Sequence, residues 1–274
     1  MQDTHRHAAT EQEMSLRFLA LLLWLLTTGI VWAAPQEEEI TANRADIIRL
    51  LGELPDIAPI REELRAVGFR GANLELAVKQ AELIYRDPVL AGHVADQVIA
   101  AFQAPQSVNA AGGLMWPLVE RGLGHLTTRE LKFYYQVEQA MIKALPVRQC
   151  GLAVRDRLSD ERFADVTSRA AARLNTPALK EYYRIQAKAA RLGVKRQPAR
   201  LSTASIARVE ERITARMTQS IEASKNPRPL LLAMSNLDRA SNAQACTIGR
   251  LFMDVVMQME GRALRDTLVY MSLP

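Results

Sequence analysis

Aromatic side chains make up only 5% of this 274-residue chain, and it has four histidines and two cysteines. Alternating apolar and polar runs are nearly absent, and β-branched residues are scattered, which argues against a sheet-based fold. No G-x-S-x-G, no H-E-x-x-H and no phosphate-cradling glycine loop occurs, so these hydrolase, zinc-protease and nucleotide-binding signatures have no anchor here. His93 and His125, the two histidines beyond residue 33, stand at no spacing with another ligand that suggests a metal site. These absences leave no catalytic residue, cofactor or metal site to nominate.

Alanine, leucine and arginine dominate instead, and hydrophobic residues reach 49%. That is a helical composition with enough apolar surface for one or two cores. The expected fold is all-α, an irregular helical bundle. Residues 126–140, LTTRELKFYYQVEQA, are echoed 48 positions later in 174–189, LNTPALKEYYRIQAKA. Leu131, Tyr134, Tyr135 and Val137 then meet Leu179, Tyr182, Tyr183 and Ile185. Thr127 and Glu130 form a capping box, T-x-x-E, and Thr176 before Pro177 reads as an N-cap. Two copies are too few for a solenoid, so the repeat suggests a helical hairpin duplicated inside a bundle.

Arg17, the apolar run Phe18 to Ala34 and the sequence Val31-Trp32-Ala33 have the three parts of a secretory signal, with cleavage expected after Ala33. An uncleaved inner-membrane anchor is the alternative, since the run is at the short limit for a span. Met14 makes a better start than Met1 for such a signal. The expected compartment is the periplasm or an equivalent exterior. There Cys150 and Cys246 are expected to form a disulfide.

Further helices follow from caps and breaks. Thr41 is expected to cap a helix to about Glu53, and Asn73 to cap another. Asp87-Pro88 opens one to about Phe102. Ser202 opens a long helix in which Ile206, Val209, Ile213, Met217 and Ile221 recur at three- and four-residue steps. A single last helix is expected over about 243–270. The glycine- and proline-rich stretch 104–124 reads as a connection between two lobes. The division is then a leader and signal over 1–33, an acidic lobe over 34–113 and a basic lobe over 114–274 that carries the repeat. Within the connection, NAAGGLMWP (109–117) resembles a fragment of the lytic transglycosylase signature, where a G-L-M-Q run follows a catalytic Glu-Ser pair. Ile99 and Ala100 stand about where that pair belongs, so the resemblance supplies no catalytic carboxyl.

Charge is divided unevenly. Residues 34–113 hold 7 Lys and Arg against 12 Asp and Glu, and residues 114–274 hold 26 against 15. The basic excess is densest between Arg184 and Arg216. Arg208, Arg212 and Arg216 lie four apart, on one helix stripe. They are the candidate partner-binding residues, with Lys195, Arg196, Tyr182 and Tyr183. The expected function is an exported, non-enzymatic module that binds or inhibits a partner protein in the periplasm, such as an immunity-type inhibitor of an envelope toxin. An acidic protein suits the stripe, and anionic lipid or a cell-wall polymer is a further contact. An exported chain does not meet nucleic acid. The alternative is an envelope enzyme or accessory acting on cell wall or lipid, with Glu120 or Glu130 recruited as acid.

Overall fold

The structure is a computed structural model that describes residues 43–53, 58–103 and 115–273. The signal-like segment, the acidic lead-in and the G-L-M run up to residue 114 lie outside the described residues. Thirteen α-helices and one 3₁₀ turn occur among the described residues, with no strand. They are α1 (Arg44–Glu53), α2 (Ala58–Val67), α3 (Gly71–Tyr85), α4 (Pro88–Gln103), α5 (Trp116–Leu123), α6 (Thr128–Ala144) and α7 (Val147–Val154). There follow α8 (Asp160–Ala171), α9 (Thr176–Lys195), α10 (Thr203–Glu222), α11 (Pro227–Ser235), α12 (Asn242–Met257) and α13 (Gly261–Tyr270). No described helix is long and apolar enough to cross a membrane.

Caps explain most of the boundaries. The Thr127–Glu130 box closes the start of α6, with Thr127 Oγ1 accepting from Glu130 N at 3.3 Å and Glu130 Oε2 accepting from Thr127 N at 3.1 Å. Asp87 Oδ1 accepts from the backbone of Val89 and Leu90 at 3.0 Å and starts α4. Each such cap is worth about 1 kcal/mol. Three expectations shift. Asn175, not Thr176, is the N-cap of α9, because its amide oxygen accepts from Ala178 N at 2.9 Å. Asn73 does not cap α3. It sits inside the first turn, donates to Leu174 O at 2.8 Å and accepts from Thr176 Oγ1 at 2.9 Å. Thr41 lies outside the described residues; the described part of the first helix begins at Arg44, where Asn43 Oδ1 accepts from Ala45 N. The expected single last helix is two, α12 and α13, broken where Gly261 takes φ +56° and Met259 turns inward.

The duplicated unit is also placed differently. The short helix before each repeat helix has the same role: α5 leads into α6, and α8 into α9, through matching turns. His125 N bonds to Gly122 O and Leu126 N to Leu123 O, as Arg173 N bonds to Ala170 O and Leu174 N to Ala171 O. Leu118 and Val166, Gly122 and Ala170, and Leu123 and Ala171 are buried in pairs. The helices that follow the copies differ, since α7 has 8 residues and α10 has 20. Leu131 and Leu179 are both fully buried, as the repeat requires.

Residues 42–274 form one compact unit, so the two expected lobes are not separate bodies. The reason is α9, which packs on α3, α4, α5 and α6 at once. Its tightest contact is with α5. A Cβ at Gly122 would lie 1.8 Å from Ala189 O, and one at Gly193 would lie 2.0 Å from Leu118 O. Backbones come that close only where side chains are missing. The second tight pair is α7 on α12, where a Cβ at Gly151 would lie 2.2 Å from Asn242 O. The same pair carries the Cys150–Cys246 disulfide, with Cα atoms 5.1 Å apart and a sequence separation of 96. Closing such a loop stabilises by about 4 to 5 kcal/mol in the chain-entropy account.

Gly122→Ala and Gly193→Ala are each expected to lower stability by more than about 2 kcal/mol, since backbone must move to admit the methyl. The urea midpoint reads the loss, and an unchanged midpoint in both variants would show that the crossing opens without cost.

Candidate functional site

Matched tyrosines of the two copies meet inside the bundle. Tyr134 on α6 and Tyr182 on α9 stack with ring centroids 5.3 Å apart and planes 20° apart, and Tyr135 meets Tyr134 edge-on. Tyr182 Oη donates to Glu138 Oε1. Burial, reinforced by the Glu138 charge, holds the Tyr134 and Tyr182 hydroxyls well above their usual range. Burial also raises the Glu138 carboxyl, against hydrogen bonds from Tyr182 and Tyr134 that favour its charge. The expectation that Tyr182 faces a partner is therefore corrected. It is 4% exposed, covered by Tyr134 and engaged by Glu138. Tyr183 is half-buried, its ring 6.4 Å from Tyr182, and burial raises its hydroxyl. Glu138 was not singled out from sequence, although its four-residue step from Tyr134 puts it on the same helix face.

Much of the basic cluster is neutralised within the fold. Lys188 Nζ donates to both Glu130 oxygens at 2.8 and 2.9 Å, and Arg184 Nη2 reaches Glu130 at 3.2 Å and Glu181 at 2.7 Å. Arg191 Nε donates to Asp87 at 2.6 Å, tying α9 to the cap of α4. Burial alone would raise Glu130, but Lys188, the Thr127 backbone and hydroxyl, and Arg184 outweigh it and lower the carboxyl to about 2. A general acid needs the opposite shift, so Glu130 serves the helix start. Glu120 lies exposed on α5. No cluster of three or more histidine, cysteine or acidic side chains placed to hold a metal occurs among the described residues. His125 bonds Gln197 O at 2.7 Å, and His93 is half-buried on α4.

The rest of the basic cluster is left over. Arg208 and Arg216 are exposed on α10 and Arg212 is half-buried, while Val209, Met217 and Ile221 point inward. Arg208 Nη2 donates to Ser205 Oγ at 3.0 Å, and Arg212 Nη1 is buried without an acceptor. Lys195 ends α9, Arg196 caps it, and both are exposed, as is Arg200. None of these six pairs with a carboxylate among the described residues. The α10 helix packs chiefly on α11, α12 and α13 among the described residues. A shallow, open depression lined by Phe252, Tyr270, Met271 and Leu273 lies at the C-terminal end.

Two carboxyls with opposite shifts give opposite acid responses. Glu130 is lowered, so its stabilisation is complete above about pH 4.5 and fades as pH falls towards 2. Glu130→Gln keeps a capping side chain and is expected to be less stable than wild type at neutral pH, with the deficit closing in acid. Glu138 is raised, so its ionisation costs stability once pH passes the ordinary carboxyl range. Glu138→Gln is expected to match or exceed wild type at neutral pH and to lose that advantage in acid. Urea midpoints across pH decide both, and parallel curves for either variant would contradict its assignment. Compared with protein-family models, curated proteins and solved structures, this chain matches none of them.

Proposed function

We propose that the chain is an exported, non-enzymatic binding module that masks a partner protein, and that the α10 stripe with Lys195 and Arg196 is the face it uses. Inhibition of an envelope toxin is one concrete form. The observation that carries this reading is the division of the basic residues. Arg184, Lys188 and Arg191 are held by Glu130, Glu181 and Asp87, while Arg208, Arg212 and Arg216 have no carboxylate partner among the described residues. Unneutralised arginine on a rigid helix suits bidentate pairing with carboxylate or phosphate supplied from outside. The disulfide supports an oxidising compartment, in keeping with the signal-like N-terminal segment. Localisation to the periplasm and the identity of the partner belong to this proposal.

The test is Arg208→Glu, Arg212→Glu, Arg216→Glu, with Arg208→Glu, Arg216→Glu as a variant that leaves half-buried Arg212 alone. The double variant is expected to melt near wild type. Both variants should associate with a partner captured from periplasmic extract more slowly, by about tenfold or more, and with a shallower salt dependence. A folded double variant with unchanged association and salt response would overturn the reading.

A further inference from the structure

The charge and size pattern on α10 says what class of surface it fits, granted that α10 is the binding face. Three features bear on this. First, the arginines step by four residues, a rise of about 6 Å per step along the axis. Carboxylates repeated every fourth residue on another helix have the same spacing. Second, two exposed side chains beside the stripe are small. Ala204 and Ala215 are exposed within about 40° of Arg208 around the helix. Side chains of that size leave room for a second helix to approach beside the arginines. Third, acidic residues are interleaved. Glu211 and Glu222 are exposed on the same helix, and Glu210 accepts from Tyr270 Oη at 3.0 Å.

A uniformly anionic surface, such as a phospholipid bilayer, would be repelled by those carboxylates. A membrane-binding helix also buries large apolar side chains. None of the large exposed apolar residues of the described chain lies on α10; they are Leu50, Leu83, Trp116, Val147, Phe163 and Leu232. We infer that the occupant of the α10 face is an acidic helix of a partner protein, with Asp or Glu at four-residue steps facing the stripe, those opposite the exposed Arg208 and Arg216 making the pairs. Bidentate pairs at these two arginines then fix its register, and Ala204 and Ala215 leave room beside them. Glu211 and Glu222 select against partners that are acidic all round.

The experiment uses the full chain and two synthetic alanine-based peptides of identical composition and about twenty residues, long enough to be partly helical. One carries glutamate at every fourth position on one face. The other has the same glutamates scattered around the helix. Vesicles of phosphatidylglycerol and phosphatidylcholine are the third probe. Fluorescence anisotropy is expected to show the faced peptide binding at least about tenfold tighter than the scattered one. Arg208→Glu, Arg216→Glu should abolish the difference, and a peptide with lysine in place of the faced glutamates should restore binding to that variant. Equal affinity for both peptides would overturn the inference, and so would arginine-dependent binding to vesicles without preference for the faced peptide. This outcome separates from failure of the functional reading. A native partner that the double variant loses, yet that the faced peptide does not displace, removes the acidic helix and leaves the binding face standing. A native partner that the double variant retains removes the face itself.

Discussion

The close approach of α5 to α9 is the constraint on which the rest depends. Gly122 and Gly193 let the two backbones meet through Ala189 and Leu118, with no space for a Cβ on either glycine. Fixing α5 there fixes the turn that leads into α6, and with it the stack of Tyr134 on Tyr182. The other side of α9 receives the N-terminal helices. Asn73 bridges α3 to the turn before α9, and Arg191 meets Asp87. One helix thus joins what the sequence divides at residue 113. The disulfide plays a parallel part for α7 and α12, where Gly151 allows the same kind of contact.

Electrostatics follows from that packing. The α9 cations that face α6 and α4 find Glu130 and Asp87, each with only about a tenth of its side chain exposed. Interactions there are screened less than between fully solvated pairs such as Arg44 and Asp96. The α10 helix faces α11, α12 and α13, and its arginine stripe meets no such carboxylate among the described residues. The same run of basic sequence therefore serves two ends, cohesion on α9 and an unmatched positive face on α10.

Inside, the two copies of the repeat meet at their tyrosines. Burial favours the neutral form of Glu138 despite the two tyrosine hydroxyls that donate to it, whereas cations hold Glu130 charged, so the two carboxyls, eight residues apart on α6, titrate in opposite directions. Burial is common to both. Cationic partners reach only Glu130.

Local sequence determined the helices and most of their starts. Thr127, Ser202 and Asp87 cap where side-chain chemistry says they should, because a cap needs only residues within one turn. Leu131 and Leu179 were legible as equivalent core positions from the repeat, and the cysteine pair from composition. Contacts between distant residues were not legible. Nothing local distinguishes Asn175 from Thr176 as the cap until Asn73 is seen to take the threonine hydroxyl. The duplicated short helices α5 and α8, WPLVERGL and DERFADVTSRAA, share little sequence, since a common turn and a buried small residue suffice to define the unit. Tyr182 and Arg208 both read as partner-facing. Tertiary packing separated them, covering the first with Tyr134 and leaving the second exposed with no carboxylate partner among the described residues, because burial and pairing depend on which helix lies opposite, and that is a property of the assembled bundle.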